Sequence, residues 1–147
     1  MKKMRTLLVL TTATLLSTLA LAQNTPVGKW HTIDDKTKEI KSEITITEAG
    51  GALSGKVSKV LRKDAKPDAV CEECKDERKG KPMLGLEIIR GAKKDASADV
   101  WAGGKILDPE NGKEYTLKMT PEDGGKKLAV RGSIGPFGRT QTWVRVE

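Results

Sequence analysis

The chain has 147 residues, with 27 Lys and Arg against 20 Asp and Glu, for a formal net charge of +7. Its large aromatics are confined to Trp30, Trp101, Tyr115, Phe137 and Trp143. That is too sparse a set to stack successive bases and also anchor a core, and the lysines alternate closely with acids, as in Asp34-Asp35-Lys36 and Asp76-Glu77-Arg78-Lys79. The surface therefore reads as solvated and mixed, which argues against a nucleic-acid stripe.

At the start, Lys2, Lys3 and Arg5 precede an uncharged run, Leu7 to Leu21, that ends in Ala20-Leu21-Ala22. A basic beginning, an apolar stretch too short to span a bilayer and an A-x-A end predict a secretory signal peptide over 1–22, rather than a membrane anchor or buried helix. No Cys stands at the cut site, so no lipid-anchored precursor is expected. The mature chain, 23–147, is then a single domain in the periplasm or medium, not embedded in the membrane. Its 24 bases face 20 acids, so the charge falls to +4 once Lys2, Lys3 and Arg5 leave.

The mature chain repeats one local pattern, a short alternating stretch followed by a turn cluster. Residues 28–33 open it. In 42–48, Ile44 and Ile46 alternate with Glu43, Thr45 and Thr47, as a half-buried strand requires. Gly50-Gly51 turns the chain, and 53–61 returns with Leu53, Val57 and Leu61 on one face. Leu84, Leu86 and Ile88 share a side in 84–90. Residues 101–107 run into Asp108-Pro109-Glu110-Asn111-Gly112, a dense turn signal. Tyr115, Leu117 and Met119 alternate with polar residues, and Glu122-Asp123-Gly124-Gly125 turns again. Leu128, Val130, Gly132 and Ile134 share a face. In 139–146, Thr140, Thr142, Val144 and Val146 lie opposite Arg139, Gln141, Trp143 and Arg145.

About eight strands joined mostly by tight turns predict an all-β fold, a small antiparallel up-and-down barrel with one long loop; an open sandwich is the rival. Closure removes unpaired edges. An outer-membrane barrel fits poorly, because these strands carry Lys and Glu along one face where a lipid-facing apolar band would be needed. The long loop, 62–83, holds seven bases, six acids, Pro67, Pro82 and both cysteines. Loops of that length inside a compact domain are uncommon.

Gly28-Lys29-Trp30, then Gly104 to Tyr115, then Arg131-Gly132 followed by Gly138-Arg139-Thr140-Gln141-Thr142-Trp143-Val144-Arg145, resemble a family of small secreted bacterial proteins catalogued as a domain of unknown function. The closing G-R-T-Q-T-W-x-R is the most specific part. The resemblance spans the mature chain and implies one secreted β domain; it carries no activity or catalytic residue to this sequence. A second resemblance is to lipocalin-like barrels, which often place G-x-W on the first strand and stack an Arg of the last strand on that Trp. Here Trp30 could meet Arg139 or Arg145; the plainer reading is a core Trp at a strand start.

Cys71-Glu72-Glu73-Cys74 is the one constellation able to carry chemistry. Two intervening carboxylates disfavour the thiolate that a redox pair needs. A zinc site needs about four ligands, and His31 is the sole histidine, although Asp68, Asp76 or Glu77 could complete one. A structural disulfide suits an oxidising compartment and a pair of cysteines. The paired acids fall in predicted turns, no Ser-His-Asp set is inferable, and no glycine loop suits a phosphate. No catalytic residue and no cofactor are expected.

The leading expectation is a non-enzymatic barrel that takes a small apolar or amphipathic molecule, or an envelope component. Its candidate ligand-contacting residues are Trp30, Trp143, Arg139 and Arg145. The alternatives are a protein-interaction module acting through 62–83 and a metal-binding protein using Cys71 and Cys74. A hollow interior marks the first, a filled barrel with an exposed ordered loop the second, and acids converging on the cysteines the third.

Overall fold

A computed structural model describes residues 24–147; the expected signal peptide, 1–22, lies outside them. Eight antiparallel strands close into a barrel in sequence order. They are β1 (Gly28–Ile33), β2 (Ile40–Ala49), β3 (Ala52–Val60), β4 (Glu87–Lys94), β5 (Trp101–Asp108), β6 (Lys113–Glu122), β7 (Lys127–Ile134) and β8 (Phe137–Arg145). A short 3-10 turn, Asp123–Gly125, joins β6 to β7. The expected all-β, up-and-down architecture is thus present.

Alternation along each strand sets the interior. Trp30, Ile44, Ile46, Leu53, Val57, Leu117, Met119, Leu128, Val130 and Trp143 are buried, while Lys29, Lys56, Lys118 and Arg131 face out. The interior face of β8 is therefore the one carrying Gln141, Trp143 and Arg145. Thr140 and Thr142, on the opposite face, are exposed.

Two other expectations are corrected at β4. The strand begins at Glu87, not at residue 84, and Leu84 is exposed. Register shifts in the β3–β4 pairing make Ile88 and Gly91 extra residues, so Ile88, Ile89 and Ala92 are all buried despite their unlike parity. Leu61 and Ile134, assigned to apolar faces, are also exposed, because they lie at strand ends beyond the packed interior.

The antiparallel order puts the connections 34–39, 61–86, 109–112 and 135–136 at one end. The opposite end carries 50–51, 95–100, 123–126 and both described termini. Closure between β1 and β8 rests on a short register, Trp30 with Arg145 and His31 with Val144.

The long loop is ordered against the barrel. Cys71 and Cys74 form a disulfide and both are buried. Cys71 N–H donates to the Lys81 carbonyl at 2.9 Å, and Met83 N–H to that of Ala69 at 2.8 Å, which folds the loop back on itself. Arg78, only 2% exposed, donates to the Glu87 carbonyl at 2.9 Å and pairs with Asp76 and with Glu114 at 3.2 Å. Glu114 and Leu107 lie on the opposite side of the β5–β6 pair from Tyr115 and Ile106. The disulfide turn therefore docks on the outside of the wall, near the end that carries the long connections.

That docking needs a close approach at Gly112, which has φ +70°, and a Cβ there would overlap the Glu73 carbonyl oxygen. We expect Gly112→Ala to cost about 2–3 kcal/mol, from a left-handed backbone position combined with a clash against main chain. Urea unfolding measures it, and a loss below about 0.5 kcal/mol would remove the claim that this contact seats the loop.

Candidate functional site

The interior is hollow toward the end bearing the long connections. A cavity of about 930 Å³ opens there. Its wall carries an aliphatic set, Ile44, Val57, Ile88, Ile106 and Val130, joined by Tyr115 and Trp143, together with charged side chains such as Lys41, Arg62, Glu110 and Arg139. One glycine helps explain the wall's contour. Gly132 lies against Tyr115 and Ile106. Neighbours thus occupy part of the space that missing side chains leave, and the rest remains open. Arg62, Ala65, Ala69, Val70 and Met83 of the long loop form one side of the mouth.

Charge gathers at this rim. Arg139 pairs with Asp35 at 3.0 Å, and Lys63 with Glu39. Lys41 Nζ lies 3.2 Å from Oε1 of Glu110, and Arg62 meets the same oxygen. Burial, followed by the neighbouring Arg62, holds the Lys41 ammonium below the ordinary lysine range. Away from the mouth, Lys59 donates to Glu43 at 3.1 Å and keeps that buried carboxylate below its usual range. Asp76 is pulled far below the carboxylate range by its hydrogen bonds from Arg78.

The four candidate ligand residues part company. Trp143 and Arg139 line the cavity. Trp30 and Arg145 lie outside its lining, at the opposite end. There the Arg145 guanidinium sits 4.2 Å from the Trp30 ring centroid, the Arg–Trp stack that the G-x-W resemblance implied. Arg145 also donates to the carbonyls of Gly125 at 2.6 Å, Val27 at 3.0 Å and Thr25 at 2.7 Å. Trp30 Nε1 donates to the Pro26 carbonyl at 2.7 Å. This end is a seal.

The disulfide consumes both thiols, so Cys71 and Cys74 offer no thiolate to a metal while it stands. Among the described residues, no three His, Cys, Asp or Glu side chains converge as a metal cluster. Sequence reasoning missed Lys41, Arg62, Glu110 and Tyr115. Lys41 and Arg62 sit in charge-rich stretches where no single charge stands out. The turn cluster marked Glu110 as a connection without revealing what it faces.

The sequence matches, over residues 28–145, the bacterial family described as "Uncharacterized protein conserved in bacteria (DUF2147)", and the chain belongs to that family. No functionally curated protein is matched in sequence. Among solved structures, the chain is similar to one described as "Protein HP1028 from the human pathogen Helicobacter pylori belongs to the lipocalin family". The TM-score is 0.71 at 18% identity, with 85% of each chain covered. The fold is lipocalin-like.

Arg145 should be the costliest surface-reaching charge to remove. Arg145→Leu takes one fork from three carbonyls and from the Trp30 face, and we expect a loss of about 2–4 kcal/mol. Arg145→Lys should recover less than half of it, because an ammonium cannot span three acceptors and stack at once. Chemical denaturation of the three proteins checks this; near-equal midpoints would refute the sealing role.

Proposed function

We propose that this protein is a non-enzymatic binding protein of the bacterial periplasm or medium, holding a small apolar or amphipathic molecule in its barrel cavity. The observation that carries the reading is the open cavity of about 930 Å³ with its aliphatic wall. That volume lies within the usual range of small-molecule sites, about 300–1,000 Å³. Apolar surface on a ligand would leave water there at roughly 25 cal/mol per Å² before the costs of association.

A purely binding role is supported by the placement of charge. Aliphatic and aromatic side chains make up much of the wall, and of the cations that line the mouth Lys41, Arg62 and Arg139 are engaged in ion pairs, with Lys66 and Lys113 lining it as well. Location outside the cytoplasm is supported by the basic-then-apolar segment ending at Ala22 and by the disulfide. The outward faces of the strands carry lysines and acids, which favours a protein in water over one in lipid. The interaction reading through 62–83 keeps one observation in its favour, the exposure of Val70. The same loop, however, commits Arg62, Ala65, Ala69 and Met83 to the cavity mouth.

A neutral fluorescent apolar probe such as N-phenyl-1-naphthylamine should bind saturably, with Trp143 transferring energy to it. Val130→Trp, which projects bulk into the cavity, should weaken that binding by at least about tenfold, the equivalent of 1.4 kcal/mol. Titration of wild type and variant is the test. Absence of saturable binding, or equal affinity in both, moves the function to the loop.

Processing supplies a separate check. Protein recovered from a periplasmic extract should have the mass of a chain beginning at Gln23. A full-length or acylated species there would overturn the assignment of compartment.

A further inference from the structure

The cavity mouth holds an arrangement that a merely apolar site does not require. In the β1–β2 pairing, Thr32 faces Ser42 but Ile33 faces Ile40, so Lys41 is an extra residue in β2. A bulge of this kind re-aims a side chain at a barrel rim. Here Lys41 lines the cavity beside Ser42 and Ile44, with its ammonium half-buried. Arg62, just past the end of β3, reaches the same place.

Two cations converge on one oxygen, Oε1 of Glu110. Four of the other acids near them are committed elsewhere. Asp108 accepts from its own turn, from the Glu110 N–H at 2.9 Å and the Asn111 side chain at 3.2 Å. Asp34 accepts the N–H groups of Lys36 and Thr37, each at 2.9 Å. Asp35 is paired with Arg139 and Glu39 with Lys63. Asp64, Glu72 and Glu73, also at the rim, are exposed. The single shared carboxylate, Glu110, is itself half-exposed on the 109–112 turn, where water can take its place.

We propose that Lys41 and Arg62 form a head-group site for an anionic amphiphile, whose carboxylate replaces that of Glu110 while its hydrocarbon tail enters the aliphatic cavity. This rests on the reading of the cavity as a ligand site and adds the sign of the ligand's charge and the orientation in which it enters. The exchange is one carboxylate for another on a preformed pair of donors, so the half-buried ammonium gains a partner at each stage. A charge-assisted contact of this kind contributes enough to rank ligands of equal chain length.

Dodecanoate, dodecanol and dodecyltrimethylammonium share a tail and differ in the head, and each is titrated by displacement of the bound fluorescent probe at neutral pH. We expect dodecanoate to bind at least about tenfold more tightly than dodecanol. Lys41→Met should bring the ratio down toward one, and Arg62→Gln should lower it independently. Glu110→Gln, which removes the competing carboxylate, should raise it. Opposite movements of the ratio separate head-group recognition from general damage to the barrel.

Equal binding of dodecanoate and dodecanol by the wild type overturns the head-group site and leaves the cavity reading standing. Tightest binding of the trimethylammonium chain overturns it in favour of the rim acids, as does a ratio that neither Lys41→Met nor Arg62→Gln changes. Failure of all three chains to displace the probe overturns the cavity reading and the head-group site together.

Discussion

Arg145 carries a permanent charge into the sealed end of the barrel, where burial pushes against its ionised form and every donor on the guanidinium must find an acceptor. The acceptors it finds belong to segments far apart in sequence: Thr25 and Val27 ahead of β1, and Gly125 in the β6–β7 turn. The Trp30 ring supplies the remaining face. One side chain of the last strand thus fixes the lead-in to the first strand and a turn two strands away. Because β1 and β8 pair over so short a register, this fork does what a longer ladder does elsewhere in the barrel. Gly28 is part of the same constraint, since a Cβ there would occupy the position of the guanidinium.

Sealing one end decides where the empty space lies. Trp30 and Trp101, two of the three largest side chains available, are placed at or near that end, with Lys94 lying over Trp101 at 5.5 Å. Bulk spent there is missing at the other. Toward the mouth the wall is built of Ile and Val with Gly132 among them, and Tyr115, Phe137 and Trp143 are the aromatics left to line it. An eight-stranded barrel lies near the size at which side chains either fill the interior or leave room for one small ligand. Composition and placement together tip this one toward the hollow outcome.

The strand count, order and interior faces were legible in the sequence because alternation and turn chemistry agree over most of the chain. Ile44 and Ile46, Leu117 and Met119, and Gly50-Gly51 all fell where local pattern put them. Legibility failed where the ladder slips. Bulges in β4 break the parity that a face assignment assumes, which hides Ile89 among the interior residues, and Leu84 continues the apolar alternation ahead of a strand that starts three residues later. Lys41 was invisible as a site residue for the same reason, because strict alternation with Ile44 and Ile46 places it outward. The disulfide could be anticipated from two cysteines and an oxidising compartment. Arg78 could not, since nothing in a loop of seven bases and six acids marks which cation will be buried. The Arg–Trp stack was legible only as a choice between Arg139 and Arg145, which share a face of β8. The choice is made by the end of the barrel each occupies.

The two ends therefore differ in what their charges do. At the seal, a partly buried guanidinium has its hydrogen bonds made by backbone, and its removal leaves carbonyls stranded. At the mouth, Arg139–Asp35 and Lys63–Glu39 are exposed pairs of the kind worth about 0–1 kcal/mol each, and Glu110 is half in water. Stability resides in the first end, while the open cavity belongs to the second. Substitution around the mouth can then reshape the opening without unfolding the barrel, since function lives in sites carried by a fold and not in the fold itself. The exposed apolar residues at that end follow the same logic. Phe137, 80% exposed at the β7–β8 turn, and Leu84 beside the long loop add little to the core, so their presence is better understood from what approaches the opening than from what holds it together.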